Sequence, residues 1–330
     1  MLQKLLAAVL GTLCALPCPG WGQLSTTEVG TAAKNCLIEV RVVDADGSPL
    51  QGTSVFLTMP YTGEKIIRSV PSPGDGNSMY SISVDDSIGL YIFYAVAPGR
   101  RMASFPIVAK SKSMKLPDIV LPEANGPADA AVSKDAKICR WAAIWQGYVA
   151  RKRKSNASFM RALENNPVFQ LNKVGVLNAD IYSNNWGAEL NGLSKEMAAE
   201  KDKETKAFLA ACYIELGSDS TAWQPLSVDQ ALRHLDDVSP FWSLCPRMPL
   251  SAFHAAGGMR QQGAMLFLSR MEKKHPDPEV RAWAMVRRVE EAEAMGYAAD
   301  RKKLGRQLAE RFPDTDAARF VKARFPYDFE

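Results

Sequence analysis

Phe267 to Trp283 reads FLSRMEKKHPDPEVRAW and Leu304 to Phe320 reads LGRQLAERFPDTDAARF, two stretches that align register for register with Pro276 and Pro313 37 residues apart. An amphipathic segment, a Pro-Asp turn and a second amphipathic segment at this period form the pattern of a helix-pair repeat. Further back, Pro240 stands 36 residues before Pro276. The DKETKAF stretch from Asp202 matches DPEVRAW from Asp277, which puts Lys201 at the proline position, and Pro167 in ENNP fits one more period. Two short helices cannot bury their apolar face alone, so such units stack, and the usual product is a binding surface rather than a catalytic pocket. The pattern predicts an α-helical repeat domain over residues 133–330.

Local signals place helices within that span. Ile138, Trp141, Ala142, Trp145, Tyr148 and Val149 fall on one apolar stripe, which predicts a first helix packed through two indoles. Ser227 followed by Gln230 is a capping-box pattern, and Asp277-Pro278 with Glu279 supplies a cap, a first-turn proline and an acid near the positive end of a helix. The helix after Asp277 is expected to bury Ala282, Met285, Val286, Val289 and Ala292 on one face and to stop at Gly296. A last amphipathic helix carries Ala317, Phe320, Val321 and Phe325.

Upstream the period changes. CLIEVRVVD, TSVFLTM, EKIIRSV, MYSISV, GLYIFYAVA, MASFPIVA and MKLPDIVL are seven short apolar-rich runs between Cys36 and Leu121, punctuated by DGSPLQG, PSPGDGN, DDSIG and PGRR. That spacing predicts a seven-stranded β-sandwich. In the first run Ile38, Val40 and Val42 point inward, while Leu37, Glu39, Arg41 and Val43 share the other face. Between the two regions PEANGPADAAVSK, with breakers and small residues, reads as a linker.

The first residues, MLQKLLAAVLGTLCALPCPGWGQ, place Lys4 before an apolar run from Leu5 to Leu16 that is too short to span a bilayer. This is the form of a secretory leader with a cut after Gly22. Acylation at Cys14 or Cys18 needs a small residue just before the cysteine, and Leu13 and Pro17 stand there, so export without a lipid is expected. The expected organisation is a leader at 1–22, an extension at 23–34, the β-sandwich at 35–122, a linker at 123–132 and the helical domain at 133–330. Of 40 basic and 36 acidic residues the leader removes one lysine and no acid. Such a balance points to no nucleic-acid or membrane partner, and with 47% apolar composition disorder is excluded.

VVDADGSPLQGTSVFL, with Asp44, Gly47, Pro49, Leu50, Gly52 and Val55, resembles the opening of carboxypeptidase regulatory-like domains, a transthyretin-like family. The usual Thr-Asp-x-x-Gly before the next strand is replaced here by PSPGDGNSMY. The resemblance implies an Ig-like or transthyretin-like folded appendage, mostly fused to other exported domains and without chemistry of its own. SPFWSLCPRMPLSAFHAAGG through HPDPEVRAWAM to ERFPDTDAARF, from Ser239 to Phe325, is similar to the helical region that precedes thioredoxin in bacterial exported TlpA-type proteins, and more loosely to tetratricopeptide-type hairpins. The thioredoxin domain and its redox motif are absent from the sequence, so no reductase activity passes to any residue.

Candidate chemistry is sparse. His234, His254 and His275 are isolated from one another, with neither HExxH nor HxxxH spacing, and His275 sits at a turn where the sister repeat has Phe312. Glu290, Glu291 and Glu293 are within one helical turn opposite an apolar stripe and read as solvated surface. No GxSxG, SxxK or phosphate-binding glycine loop occurs in the mature chain. Cys36, Cys139, Cys212 and Cys245 survive leader removal and allow one or two disulfides or four buried thiols, with no CxxC among them. Arg151, Lys152, Arg153 and Lys154 could hold an anionic surface, or could close the Trp141 helix, where the dipole favours cations. Asn156-Ala157-Ser158 is a sequon that a bacterial setting leaves idle.

The expectation is an exported, non-enzymatic binding or scaffold protein of the bacterial envelope, without cofactor or metal. Its partner is an envelope protein or peptide, with Trp186, Trp223 and Trp242 as candidate contact residues, for which a place in the core is the simpler reading. The alternative is an accessory subunit of an extracytoplasmic thiol-disulfide or peptide-processing enzyme, engaged through Cys245.

Overall fold

Strand β1 (Asn35–Val43) organises the first half of the molecule. The computed structural model describes residues 35–329 except 51, 61–65, 69, 72–78, 86–88, 110–111, 128–129, 166–178, 218–230 and 248–260. The expected leader, Cys14, Cys18 and the cut at Gly22 lie outside the described residues, as does the Ser227–Gln230 capping box. The remaining strands are β2 (Ser54–Thr58), β3 (Ile66–Arg68), β4 (Val70–Pro71), β5 (Met79–Asp85), β6 (Leu90–Val96), β7 (Ala103–Val108), β8 (Ser113–Lys115) and β9 (Ile119–Val120).

One sheet runs β4-β5-β1-β8 with β9 also on β1, and the other runs β3-β2-β6-β7. β5 is antiparallel to β1, with Ile38 opposite Ile82, while β8 and β9 run parallel to it. Seven runs thus become nine described strands, because two of the runs split. EKIIRSV divides between Arg68 and Val70, sending β3 to one sheet and β4 to the other. MKLPDIVL divides around Pro117, which has no N–H to continue a ladder.

Ile38, Val40 and Val42 are fully buried, as their alternation requires, and Leu37 and Arg41 face solvent. Val43 departs from the expected pattern: it is buried where the chain turns back, bridging to Pro49 and pairing with Val120. The turn after it is an Asp-anchored arch in which Asp44 Oδ1 accepts from the amides of Asp46 and Ser48. Gly47 and Gly52 hold φ of +90° and +71°, which side chains resist.

The strand β6 has both faces buried. Tyr91, Phe93 and Ala95 meet Ile38, Val40 and Leu57 in the core between the sheets, with Phe93 stacked 4.9 Å from Phe105. Leu90 and Ile92 face the other way, into the core of the helices. Its apolar run is the signature of a strand covered twice. Burying each such side chain contributes about 2 kcal/mol.

The segment expected to be a linker is tied down along its described residues. Arg101 N–H donates to Pro122 O at 2.8 Å, Ala124 N–H to Gly99 O at 3.0 Å and Val120 N–H to Val132 O at 2.9 Å. Val132 is buried and Ser133 donates to Asp118 O. Breaker-rich composition marks an irregular path, and hydrogen bonding to the sheet edge makes that path a strap. It delivers the chain to helix α1 (Ala136–Asn165), capped by Asp135, which accepts from the amides of Lys137 and Ile138.

The other helices are α2 (Ala179–Ala199), α3 (Lys203–Gly217), α4 (Gln261–Lys274), α5 (Pro278–Ala294), α6 (Ala298–Arg311) and α7 (Asp316–Arg324), with 3-10 turns at Pro240–Leu244 and Pro326–Asp328. Short turns join α2 to α3, α4 to α5 and α6 to α7 at the three places where the sequence grammar repeats. Asp202 accepts from Thr205 N–H, Asp277 from Glu279 N–H and Thr315 from Ala318 N–H. The protein is therefore a mixed α+β structure, and Lys34–Glu330 forms one compact unit.

The predicted α1 stripe is in place. Trp141 lies 5.6 Å from Phe241 and 5.8 Å from Phe208, and donates its indole N–H to Thr205. α5 divides its buried apolar side chains between two clusters: Ala282, Met285, Val286 and Val289 pack on Leu308, Phe312 and Val321, while Val280 and Ala284 join the α1–α3 core.

Candidate functional site

Among the described residues, those singled out by sequence do not converge. Trp242 is fully buried, with its indole N–H on Asp236 O at 2.8 Å and its ring edge-on to Phe267. It presents no surface to a partner, because both its apolar body and its polar tip are satisfied inside. The Trp186 side chain, Trp223 and His254 lie outside the described residues.

The basic run does not end a helix. α1 continues to Asn165, so the dipole explanation fails at Arg151–Lys154. The neighbouring helices hold the cations instead: Arg151 pairs with Glu196 of α2 at 3.1 Å and Lys152 with Glu215 of α3. The side chains of Arg153, Lys154 and Asn156 lie outside the described residues.

No disulfide joins Cys36, Cys139, Cys212 and Cys245, the cysteines among the described residues. Cys36 is buried between the sheets and Cys139 donates to Ser133 O. Burial pushes the Cys212 and Cys245 thiols well above the ordinary range. A nucleophilic thiolate is thereby suppressed, and Cys245, with no exposed surface, offers nothing for a mixed disulfide.

His275 and Glu279, both buried, have structural partners. His275 has one ring nitrogen 3.0 Å from Ser239 O, while the other accepts Asp277 N–H. These contacts assign a neutral ring with its proton toward Ser239, and desolvation holds its pKa below the ordinary histidine value. Glu279 accepts from Trp283 Nε1, Asp316 N–H and Ala317 N–H, so a carboxylate of one helix pair caps the next. Burial raises its pKa against those donors. Glu290 and Glu293 pair with Arg324, and Glu291 with Arg287.

An open groove of about 960 Å³ lies where α4, α5 and α6 meet. Ala292 and Met295 of the α5 end, Leu304 of α6, Leu266 of α4 and Tyr297 between α5 and α6 give it an apolar floor. Leu266, Met295 and Tyr297 are 64%, 57% and 60% exposed, so three of the seven exposed large apolar side chains among the described residues share one depression. Its rim is charged in both signs: Arg288, anchored to Glu272 at 2.8 Å, Glu291, Asp300 and Lys303. Exposed apolar side chains gathered within a polar rim mark an interaction site.

An aromatic residue outside a helix stripe, the feature that marks Trp186, Trp223 and Trp242 in the sequence, also marks Tyr297, which follows the Met295-Gly296 helix end.

Among the described residues no group of three or more His, Cys, Asp or Glu side chains is placed to hold a metal, and no helix is long and apolar enough to cross a membrane. No protein-family model matches the sequence, and no curated protein matches it.

Proposed function

We propose that this chain is an exported, non-enzymatic binding or scaffold protein of the bacterial envelope, in which a carboxypeptidase regulatory-like β-sandwich of residues 35–122 carries tetratricopeptide-like helix pairs. Its working surface is the α4–α6 groove, and its ligand is a protein segment that inserts apolar side chains between charged residues of both signs. The observation that carries this reading is the convergence of exposed Leu266, Met295 and Tyr297 on one depression. Apolar anchors in a concave surface with a polar rim supply most of the energy of such contacts.

Replacing Tyr297 by a photo-crosslinking phenylalanine analogue in living cells tests the reading, with the same replacement at Tyr327, 78% exposed and outside the groove, as control. A single dominant adduct from position 297, absent from 327 and lost in Met295→Asp, is the expected result. Identical adducts from both positions, or none from 297, overturn the groove as the working surface.

A further inference from the structure

The α4–α6 groove changes character along α5. Arg288, on its rim, donates to one carboxylate oxygen of Glu272 at 2.8 Å, and Arg311 of α6 donates to the other at 2.7 Å. Arg281 donates to the backbone oxygen of the same residue at 2.9 Å. Three guanidiniums therefore gather on one residue of α4. Arg281 and Arg311 also lie 5.1 and 5.2 Å from the centre of the Phe312 ring. Arg311 stands one turn beyond Gln307, another residue that lines the groove.

The buried Glu272 carboxylate requires a cation, and one guanidinium is enough to neutralise it. The others leave positive charge in excess at this end. Elsewhere the rim is balanced: Glu291 pairs with Arg287, while Asp300 and Lys303 carry one charge of each sign. The side chains of Arg288 and Arg311 are 37% and 42% exposed, and Glu272 fixes their direction. A guanidinium has five donors in a planar fork, so the nitrogen spent on Glu272 leaves room on each for a second acceptor. Two guanidiniums held by one carboxylate are preorganised for an oxyanion, because little side-chain freedom remains to be lost on binding.

We infer that the Arg288–Arg311 end of the groove takes a side-chain carboxylate of the bound protein segment, so that the partner is acidic, with an Asp or Glu about 10 Å from its apolar anchors. This rests on the groove being the working surface, and it adds the charge and spacing of what binds there. The spacing follows from α5, on which Arg288 and Met295 stand seven residues apart at a rise of about 1.5 Å each. Extended chain covers that distance in about three residues.

Panning a random dodecapeptide library on phage against the full mature chain, and titrating the selected peptides by fluorescence polarisation, tests the inference. The selected peptides should carry an acid about three residues from a large apolar side chain. Their binding should be weakened about tenfold or more by Tyr297→Ser, which removes an apolar anchor without adding charge. Exchanging the peptide's acid for its amide should weaken binding to the wild-type protein about tenfold and should cost nothing further on Arg311→Gln, where the same contact is already gone. The peptide change is read on the unaltered protein, so it decides even where Arg311→Gln does not fold. Peptides that need Tyr297 but lose nothing with their acid, or lose as much on Arg311→Gln as on the wild type, overturn the inference and leave the groove as the working surface. No selected peptide, or peptides indifferent to Tyr297→Ser, overturn the groove and the inference together.

Discussion

The turn from α4 to α5 and the turn from α6 to α7 are spelled almost alike, His275-Pro276-Asp277 against Phe312-Pro313-Asp314, yet they are built from opposite materials. In the first, His275, Asp277 and Glu279 are all buried and joined to the Pro240–Leu244 segment: Ser243 donates to Asp277 at 2.5 Å and Ser239 O faces His275. In the second, Phe312 takes the histidine's place with a buried ring, Asp314 is exposed, and the cap passes to Thr315. The shared grammar sets the turn, and what packs outside it decides whether the turn is held by a polar network or by an aromatic ring. The Pro240–Leu244 segment covers only the first.

The largest way to break this comparison is Asp277→Ala against Asp314→Ala. The first removes a cap and strands a buried hydroxyl and amide, so urea denaturation should show a loss of about 3 kcal/mol. The second, at an exposed position, should stay within about 0.5 kcal/mol. Equal losses would mean that the buried network is not what distinguishes the turns.

Next in size is Glu279→Ala against Asp316→Ala, again sister positions. Glu279 holds Trp283 and the first amides of α7, and its loss should cost about 2 kcal/mol and speed hydrogen exchange of the Asp316 and Ala317 amides. The Asp316 side chain pairs with Arg319 at the surface, and removing it should cost about 0.5 kcal/mol or less. Unchanged exchange at α7 in Glu279→Ala would show that the cross-pair cap is dispensable.

The smallest effect sharpens the comparison through pH. Burial lowers the native pKa of His275 below 6.5, so the unfolded chain takes up the proton first. Its contribution to stability is present above pH 6.5 and is lost as pH falls from there through the native pKa. His234, lowered by partial burial and then by Lys206 and Arg233, acts with the same sign. His275→Phe, which imports the residue of the sister turn, should reduce the fall in the urea midpoint between about pH 6.5 and 5 while lowering the midpoint at pH 7. An undiminished slope would assign the acid sensitivity elsewhere.

Much of the local structure was legible in the residues. The inward alternation of Ile38, Val40 and Val42, the α1 stripe and the Asp277 cap all follow from periodicities and side-chain chemistry that act within one turn or one pleat. The site was less so. Trp242 and Tyr297 are both aromatic and both outside an obvious stripe, yet one is enclosed and the other is 60% exposed. Nothing within a few residues of either separates them, because exposure depends on elements far away in the chain.

By itself, then, the sequence determined where the chain alternates, where it coils and where it turns, since these are settled by hydrogen bonds and sterics among near neighbours. Only the tertiary structure decided that β6 divides its side chains between two cores, that the breaker-rich strap is tied to the sheet edge, that Arg151 and Lys152 bind α2 and α3, and that Leu266, Met295 and Tyr297 share one groove. Burial is a property of the space between elements, and that space does not exist until the chain has folded.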